Sequence, residues 1–150
     1  MSSSPAIERL IGALTPDIDV LLAESEREGL RLVRRLVDEW AAGTNCFDRP
    51  GEALFAGRIG DRIVGVGGLN IDPYAAVPGV GRVRHLYVLP AERRLGVGQQ
   101  LVGAVLDAAR GRFRCVRLRT ANAAAARLYE SLGFRPDAGP DCSHVLELKG

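Results

Sequence analysis

Residues 93–99 read Arg-Arg-Leu-Gly-Val-Gly-Gln, two guanidinium side chains followed at once by a Gly-x-Gly turn. The chemistry this suits is anion binding. Glycines let the backbone approach an anion closely, and the first N–H groups of a helix starting there have no intrahelical partner. Arg93 and Arg94 add charge. The hydrophobic run Leu86-Tyr87-Val88-Leu89-Pro90 just before it reads as a strand, so the segment is a strand joined to a helix start. A dinucleotide fingerprint would need a third small residue at position 101, which is Leu, and a nucleoside-triphosphate loop would need Gly-Lys-Ser/Thr where Gly98-Gln99-Gln100 stands. Both are excluded.

The elements that must position this turn follow from periodicity. Thr15-Pro16-Asp17 predicts a helix start, with Ile18, Leu21, Leu22 and Ser25 at helical spacing. Gly29 breaks that pattern. A second helix then carries Leu32, Val33, Leu36, Val37 and Trp40 on one face and ends at Gly43. From Glu52 the period changes, and β-like runs over 53–58 and 62–69 flank an Ile59-Gly60-Asp61 hairpin turn, predicting a strand pair. Residues 70–81, with Asp72-Pro73, Pro78 and Gly79, read as a loop before a strand over 82–89. A helix from Val97 to about Arg110, a strand over 115–119, a helix over 122–132 closed by Gly133 and a strand over 143–149 complete the order. Residues 1–15 show little periodicity and are expected to be partly flexible. The order is that of a mixed α/β layer architecture in one domain spanning 1–150.

Two segments in combination carry a family resemblance. Arg93-x-x-Gly96-x-Gly98 and Asn122-x-x-Ala125-x-x-Leu128-Tyr129-x-x-Leu132-Gly133-Phe134 resemble the paired motifs of the GNAT superfamily of acyl-CoA-dependent N-acetyltransferases. Leu86-Tyr87-Val88 and Pro90 are similar to that family's fourth strand. The likeness covers residues 50–148 and is loosest in the N-terminal helices. It implies a mostly antiparallel central sheet of six to seven strands with helices on both faces, splayed between the fourth and fifth strands. It implies acetyl-CoA as co-substrate and no metal. Its pyrophosphate would meet Arg93, Arg94, Leu95, Gly96, Val97, Gly98 and Gln99, and its pantetheine arm Leu86, Tyr87, Val88 and Asn122, with Tyr129 at the thiol end. In the family the Val88 N–H polarises the thioester and Tyr129 protonates the departing thiolate. A phenol of ordinary pKa about 10 is protonated at neutral pH and suits that role.

The base is the departure. Many relatives have a glutamate six residues before the strand valine, and here that position is Arg82. An amine nucleophile must lose a proton, so another group or a water chain has to take it. His85 titrates in the useful range, but strand alternation places it opposite Arg82 unless a bulge resets the register. Asp72 and Tyr74 in the 70–81 loop, and Glu28 at the helical break, lie where the family builds its acceptor pocket. His144 is the only other histidine.

Composition narrows the partners. Nineteen of the 20 basic residues are Arg, yet 18 acidic residues hold the net charge to +2, and no basic run with interleaved aromatics is present. No nucleic-acid partner is expected. Three widely spaced cysteines suggest neither a disulfide framework nor a zinc site, and no long apolar run is present. The expectation is a soluble, cytoplasmic enzyme moving an acetyl group to a small-molecule primary amine, without a membrane partner, homodimers being common in the family. Two alternatives stand beside it: an acyl-CoA-binding regulatory domain with little turnover, and a protein or peptide N-acetyltransferase.

Overall fold

Gly60 and Asp61 close a two-residue hairpin between β2 (Ala53–Ile59) and β3 (Arg62–Ile71), and the sheet grows outward from it. The computed structural model describes residues 4–148. On one side β1 (Ala6–Leu10) pairs with β2. On the other, β4 (Val80–Val88) pairs with β3, followed by β5 (Cys115–Leu118), β7 (His144–Glu147) and β6 (Arg135–Pro136). All neighbours are antiparallel except β4 and β5. The result is a seven-stranded mixed sheet of the expected class.

Helices cover both faces. α1 (Ile18–Arg27) and α2 (Leu32–Ala42) bury Ile18, Leu21, Val33 and Leu36 with Leu54, Ile63 and Val66 of the sheet, each side chain of this type worth about 2 kcal/mol when fully buried. Gly43, at φ 75°, ends α2 as its position suggested. α3 (Val97–Ala109) and α4 (Ala123–Ser131) take the other face. α3 lies very close to the sheet: a Cβ on Gly57 would stand 2.9 Å from Val97 Cγ1, so only glycine admits the helix at that depth. Arg58 ties the N-terminal elements together, with Nη1 2.6 Å from Asp17 and Nε 3.0 Å from Glu8.

Three expectations need correction. Ala6–Leu10 is an edge strand, not part of a flexible segment. Four of its five side chains lie at least partly in solvent, so no alternation marks it. The expected looseness of the first residues falls partly on 1–3, outside the described residues. The 70–81 loop shrinks to 72–79, because β3 runs on to Ile71 and β4 begins at Val80, where the Asp72 N–H donates to the Val80 carbonyl at 2.9 Å. β6 has only two residues, too few for a periodic signal.

Candidate active site

β4 and β5 pair only through Val80–Arg82 against Cys115–Arg117, and beyond Arg82 the two strands are no longer ladder partners. The main chain of β4 is therefore unpaired on that side. Leu89 N–H donates to the Val64 carbonyl of β3 at 2.8 Å, and adjacent residues of a strand point their N–H groups in opposite directions. The N–H and C=O of Val88 thus face the gap. Arg93 Nε donates to the Val88 carbonyl at 2.9 Å, leaving the N–H as the group that remains there.

Below the gap lies the start of α3. Gly96 is its N-cap at φ 81°, a conformation that favours glycine, and no side chain caps the helix. The first intrahelical bond belongs to Gln100, whose N–H donates to the Gly96 carbonyl, so the N–H groups of residues 96–99 lack helical acceptors. Gly98 is needed for another reason. A Cβ there would press on Leu128 Cδ2 of α4 at 3.2 Å and approach Val88 Cγ2 at 3.7 Å. The turn, the strand end and α4 converge on that glycine.

A cavity of about 1030 Å³ follows the gap from this turn to the α1–α2 connection. Its volume is at the upper end for small-molecule sites. Asn122 caps α4, its Oδ1 accepting from Ala125 N–H at 2.9 Å, and lines the wall. Tyr129 also lines it and is 5% exposed. Burial alone raises its pKa, so the phenol stays protonated throughout the neutral range. Phe134 braces its ring edge-on at 5.5 Å.

At the far end, Glu28 is the one carboxylate on the cavity wall among the described residues. It accepts from the Tyr87 hydroxyl and, at 2.8 Å, from Arg93 Nη2. Arg93 thereby links the α3 turn to the end of α1. Burial, the bond to Glu28 and its negative charge raise the Tyr87 pKa, keeping that phenol neutral as well.

Next to these groups β4 bulges. Gly68 pairs with Arg84 and Val66 with Tyr87, so β4 carries one extra residue, and His85 takes a φ of 62°. Arg84 and His85 therefore face α2 together: Arg84 approaches Glu39, and His85 packs edge-on against Phe47. His85 is 8% exposed, with a buried Nε2 that has no partner among the described residues. Burial first, then the charges of Arg84 and Arg35, lower its pKa to about 3. Asp72 is buried more deeply. Its Oδ2 accepts from Arg117 Nε at 2.7 Å and Arg82 Nη1 at 3.4 Å, and its Oδ1 from Tyr74 N–H at 2.8 Å. Burial acts to raise its pKa, but the bonds from Arg117 and Tyr74 and the charge of Arg82 outweigh it and hold the carboxyl below its usual value. Arg82 lies 4.8 Å from the centre of the Tyr74 ring.

Residues 18–134 match the sequence profile of the acetyltransferase (GNAT) family. The chain belongs to that family. Among solved structures, a protein from Exiguobacterium sp. 255-15, provisionally named an acetyltransferase, superposes with a TM-score of 0.86 at 29% identity, covering 96% of this chain and 93% of its own. A GNAT-family acetyltransferase from Staphylococcus aureus Mu50 gives 0.76 at 16% identity, over 97% and 100%. The similarly provisional yncA of Salmonella typhimurium, determined with its cofactor acetyl-CoA, gives 0.66 at 18%, over 97% and 95%. Among curated proteins none matches the chain.

Set on this GNAT fold, the residues expected from sequence divide unevenly. Leu86, Tyr87, Val88, Arg93, Arg94, Gly96, Gly98, Gln99, Asn122 and Tyr129 all line the cavity. The side chains of Leu95 and Val97 do not. Leu95 is 55% exposed, and Val97 is sealed in the core against Val64 and Leu101, which leaves only their backbone at the turn. Asp72 is a carboxylate neutralised by two guanidiniums and lies off the cavity wall, which does not suit a base. His85 reaches the wall through the bulge, but its weak basicity does not suit it to hold an ammonium proton. His144 lies elsewhere, joining β7 to Glu130 of α4 at 2.8 Å. Glu28, expected at the acceptor pocket, does line the cavity. It caps the C-terminal end of α1 just before Gly29, whose φ of 79° turns the chain toward α2.

Proposed function

We propose that the protein transfers the acetyl group of acetyl-CoA to a primary amine of a small molecule, directly and within a ternary complex. The observation that carries this reading is the coincidence of an uncapped, glycine-opened helix start with an unpaired strand edge along one cavity. Each end of coenzyme A meets groups that lack protein partners. The diphosphate fits the N–H groups of residues 96–99, with Arg94 as an exposed counter-charge. The amides of the pantetheine arm fit the free edge of β4, as an added strand would.

When bound, the co-substrate supplies an acetyl thioester. The protein's part is positioning and charge. Val88 N–H faces the gap and would donate to the oxygen on which charge develops, a contribution of about 3 kcal/mol for a well-placed donor. Tyr129, held protonated by burial, would give its proton to the departing sulfur. Glu28 would receive the ammonium and take its proton, the one carboxylate on the wall replacing the glutamate that β4 lacks at Arg82. The carbon–nitrogen bond forms as the carbon–sulfur bond breaks. The ammonium loses one proton to Glu28 before attack; the second, shed by the nitrogen as the amide forms, makes up for the proton Tyr129 gives the thiolate, so one proton is released overall.

Free-thiol release from acetyl-CoA over a broad amine panel tests this. Release above hydrolysis for at least one amine, with saturation in both substrates, is expected. Saturable binding of acetyl-CoA with no amine-dependent release would favour a regulatory binding domain. Absence of binding would remove the reading altogether.

A further inference from the structure

An acceptor amine reaches the site as an ammonium, and a site made only for that charge would be lined by carboxylates. The acceptor end is lined chiefly by guanidiniums. Arg35, Arg82 and Arg84 share the wall with the single carboxylate of Glu28, and Glu28 is already bonded to Arg93. Arg82 divides Asp72 with Arg117, so one carboxylate faces two positive charges. Arg84 comes no nearer than 4.0 Å to Glu39. Arg35 makes no ion pair among the described residues, since the neighbouring acids Glu26 and Asp38 both lie against Arg34. After pairing, positive charge remains in excess beside an opening into solvent.

The β4 bulge gives that charge a shape. Without it His85 would turn to the opposite face and leave Arg84 alone. With it, Arg84 and His85 stand side by side opposite α2, and the charges of Arg84 and Arg35 both act on the imidazole. His85 stays uncharged there, with its Nε2 buried and without a partner among the described residues, so it does not add to the charge of the two guanidiniums. A planar guanidinium without a close carboxylate partner is shaped to take one in a two-point contact.

Resting on the acetyl-transfer reading above, we infer that the acceptor is a small aminocarboxylate. Its carboxylate is held by Arg35 and Arg84 beside His85, and its amine is directed to Glu28. The excess charge then has its counter-ion, and the one acidic group on the wall meets the one cationic group of the substrate. Arg82, where a glutamate was expected, belongs to the same logic, because it makes the acceptor end attractive to acids.

Matched pairs of amines test this, each aminocarboxylate beside its carboxamide, with thiol release from acetyl-CoA as the readout. The carboxylates are expected to exceed their amides in kcat/KM by about tenfold or more, the gain from a charge-assisted contact. Arg35→Gln should raise KM for the preferred carboxylate by about tenfold and shrink that preference. Arg35 is exposed, so the variant is expected to fold, and its unfolding midpoint checks this. Equal use of acid and amide, a preference for polyamines, or an unchanged preference in Arg35→Gln would overturn the inference while leaving acetyl transfer standing. No release with any member overturns acetyl transfer itself, and this inference with it.

Discussion

At the α3 end of the cavity the groups offered to a ligand are main-chain: the N–H groups of residues 96–99 and the free edge of β4 at Val88. At the α1–α2 end they are side chains, Glu28, Arg35, Arg84 and His85, drawn from three elements. Main-chain groups are fixed by the fold and tolerate many side chains around them, provided glycine stands where the backbone must open. Side-chain groups are fixed by one another, through bonds such as Arg93 to Glu28 and Arg117 to Asp72. The first kind suits a ligand common to a whole family. The second suits a ligand particular to one member.

Substitutions at the side-chain end probe that contrast most strongly. Asp72→Asn leaves Arg82 and Arg117 without their counter-charge and should cost about 3 kcal/mol of stability, measured by denaturant unfolding. Its effect should depend on pH. Because the folded pKa is lowered, Asp72 contributes fully above its unfolded value of 3.8, and that contribution is lost as pH falls through the folded value. Wild type and variant should therefore converge in acid, and a constant gap would break the account of this cluster.

Glu28→Gln should lower kcat/KM by about a hundredfold, the lower range for losing a general base, while acetyl-CoA affinity measured by calorimetry changes little. A matching loss of acetyl-CoA affinity would place Glu28 with the main-chain end and blur the comparison. Tyr129→Phe should lower kcat by about tenfold or more with acetyl-CoA affinity spared. An unchanged kcat would remove the phenol from proton transfer.

The effect of His85 is confined to acid. Its pKa of about 3 lies below the ordinary 6.5, so the unfolded chain binds the extra proton between those values and stability falls as pH is lowered through that window. Denaturation midpoints of His85→Asn should fall less steeply across it. The kcat/KM profile should keep its midpoints in the variant, because an imidazole already neutral has no proton to lose near neutrality. A profile that shifts would return His85 to the candidates for the base.

The same division explains what the sequence disclosed. Gly96, Gly98 and the Asn122–Phe134 helix are local patterns, each set by one turn or one helix, so residue spacing exposes them. The central strands were equally readable, since the apolar runs over 53–59 and 62–71 flank a Gly60-Asp61 turn. The edge strand Ala6–Leu10 was not, because an exposed strand has no period to show. Nor was the acceptor end. Glu28 and Arg93 are 65 positions apart, and Asp72 and Arg117 are 45 apart, and no spacing rule joins them. Strand alternation alone turns His85 away from Arg82, and only the extra residue in β4 brings it to the same face.

The central claim is that coenzyme A lies along the β4–β5 gap on main-chain donors, and a crystal structure of the complex with acetyl-CoA tests it most directly. The account predicts the diphosphate on the N–H groups of residues 96–99 and the thioester oxygen within hydrogen-bonding distance of Val88 N–H, with Tyr129 near the sulfur. A ligand seated elsewhere, or a Val88 N–H bonded to protein with the gap closed, would contradict it.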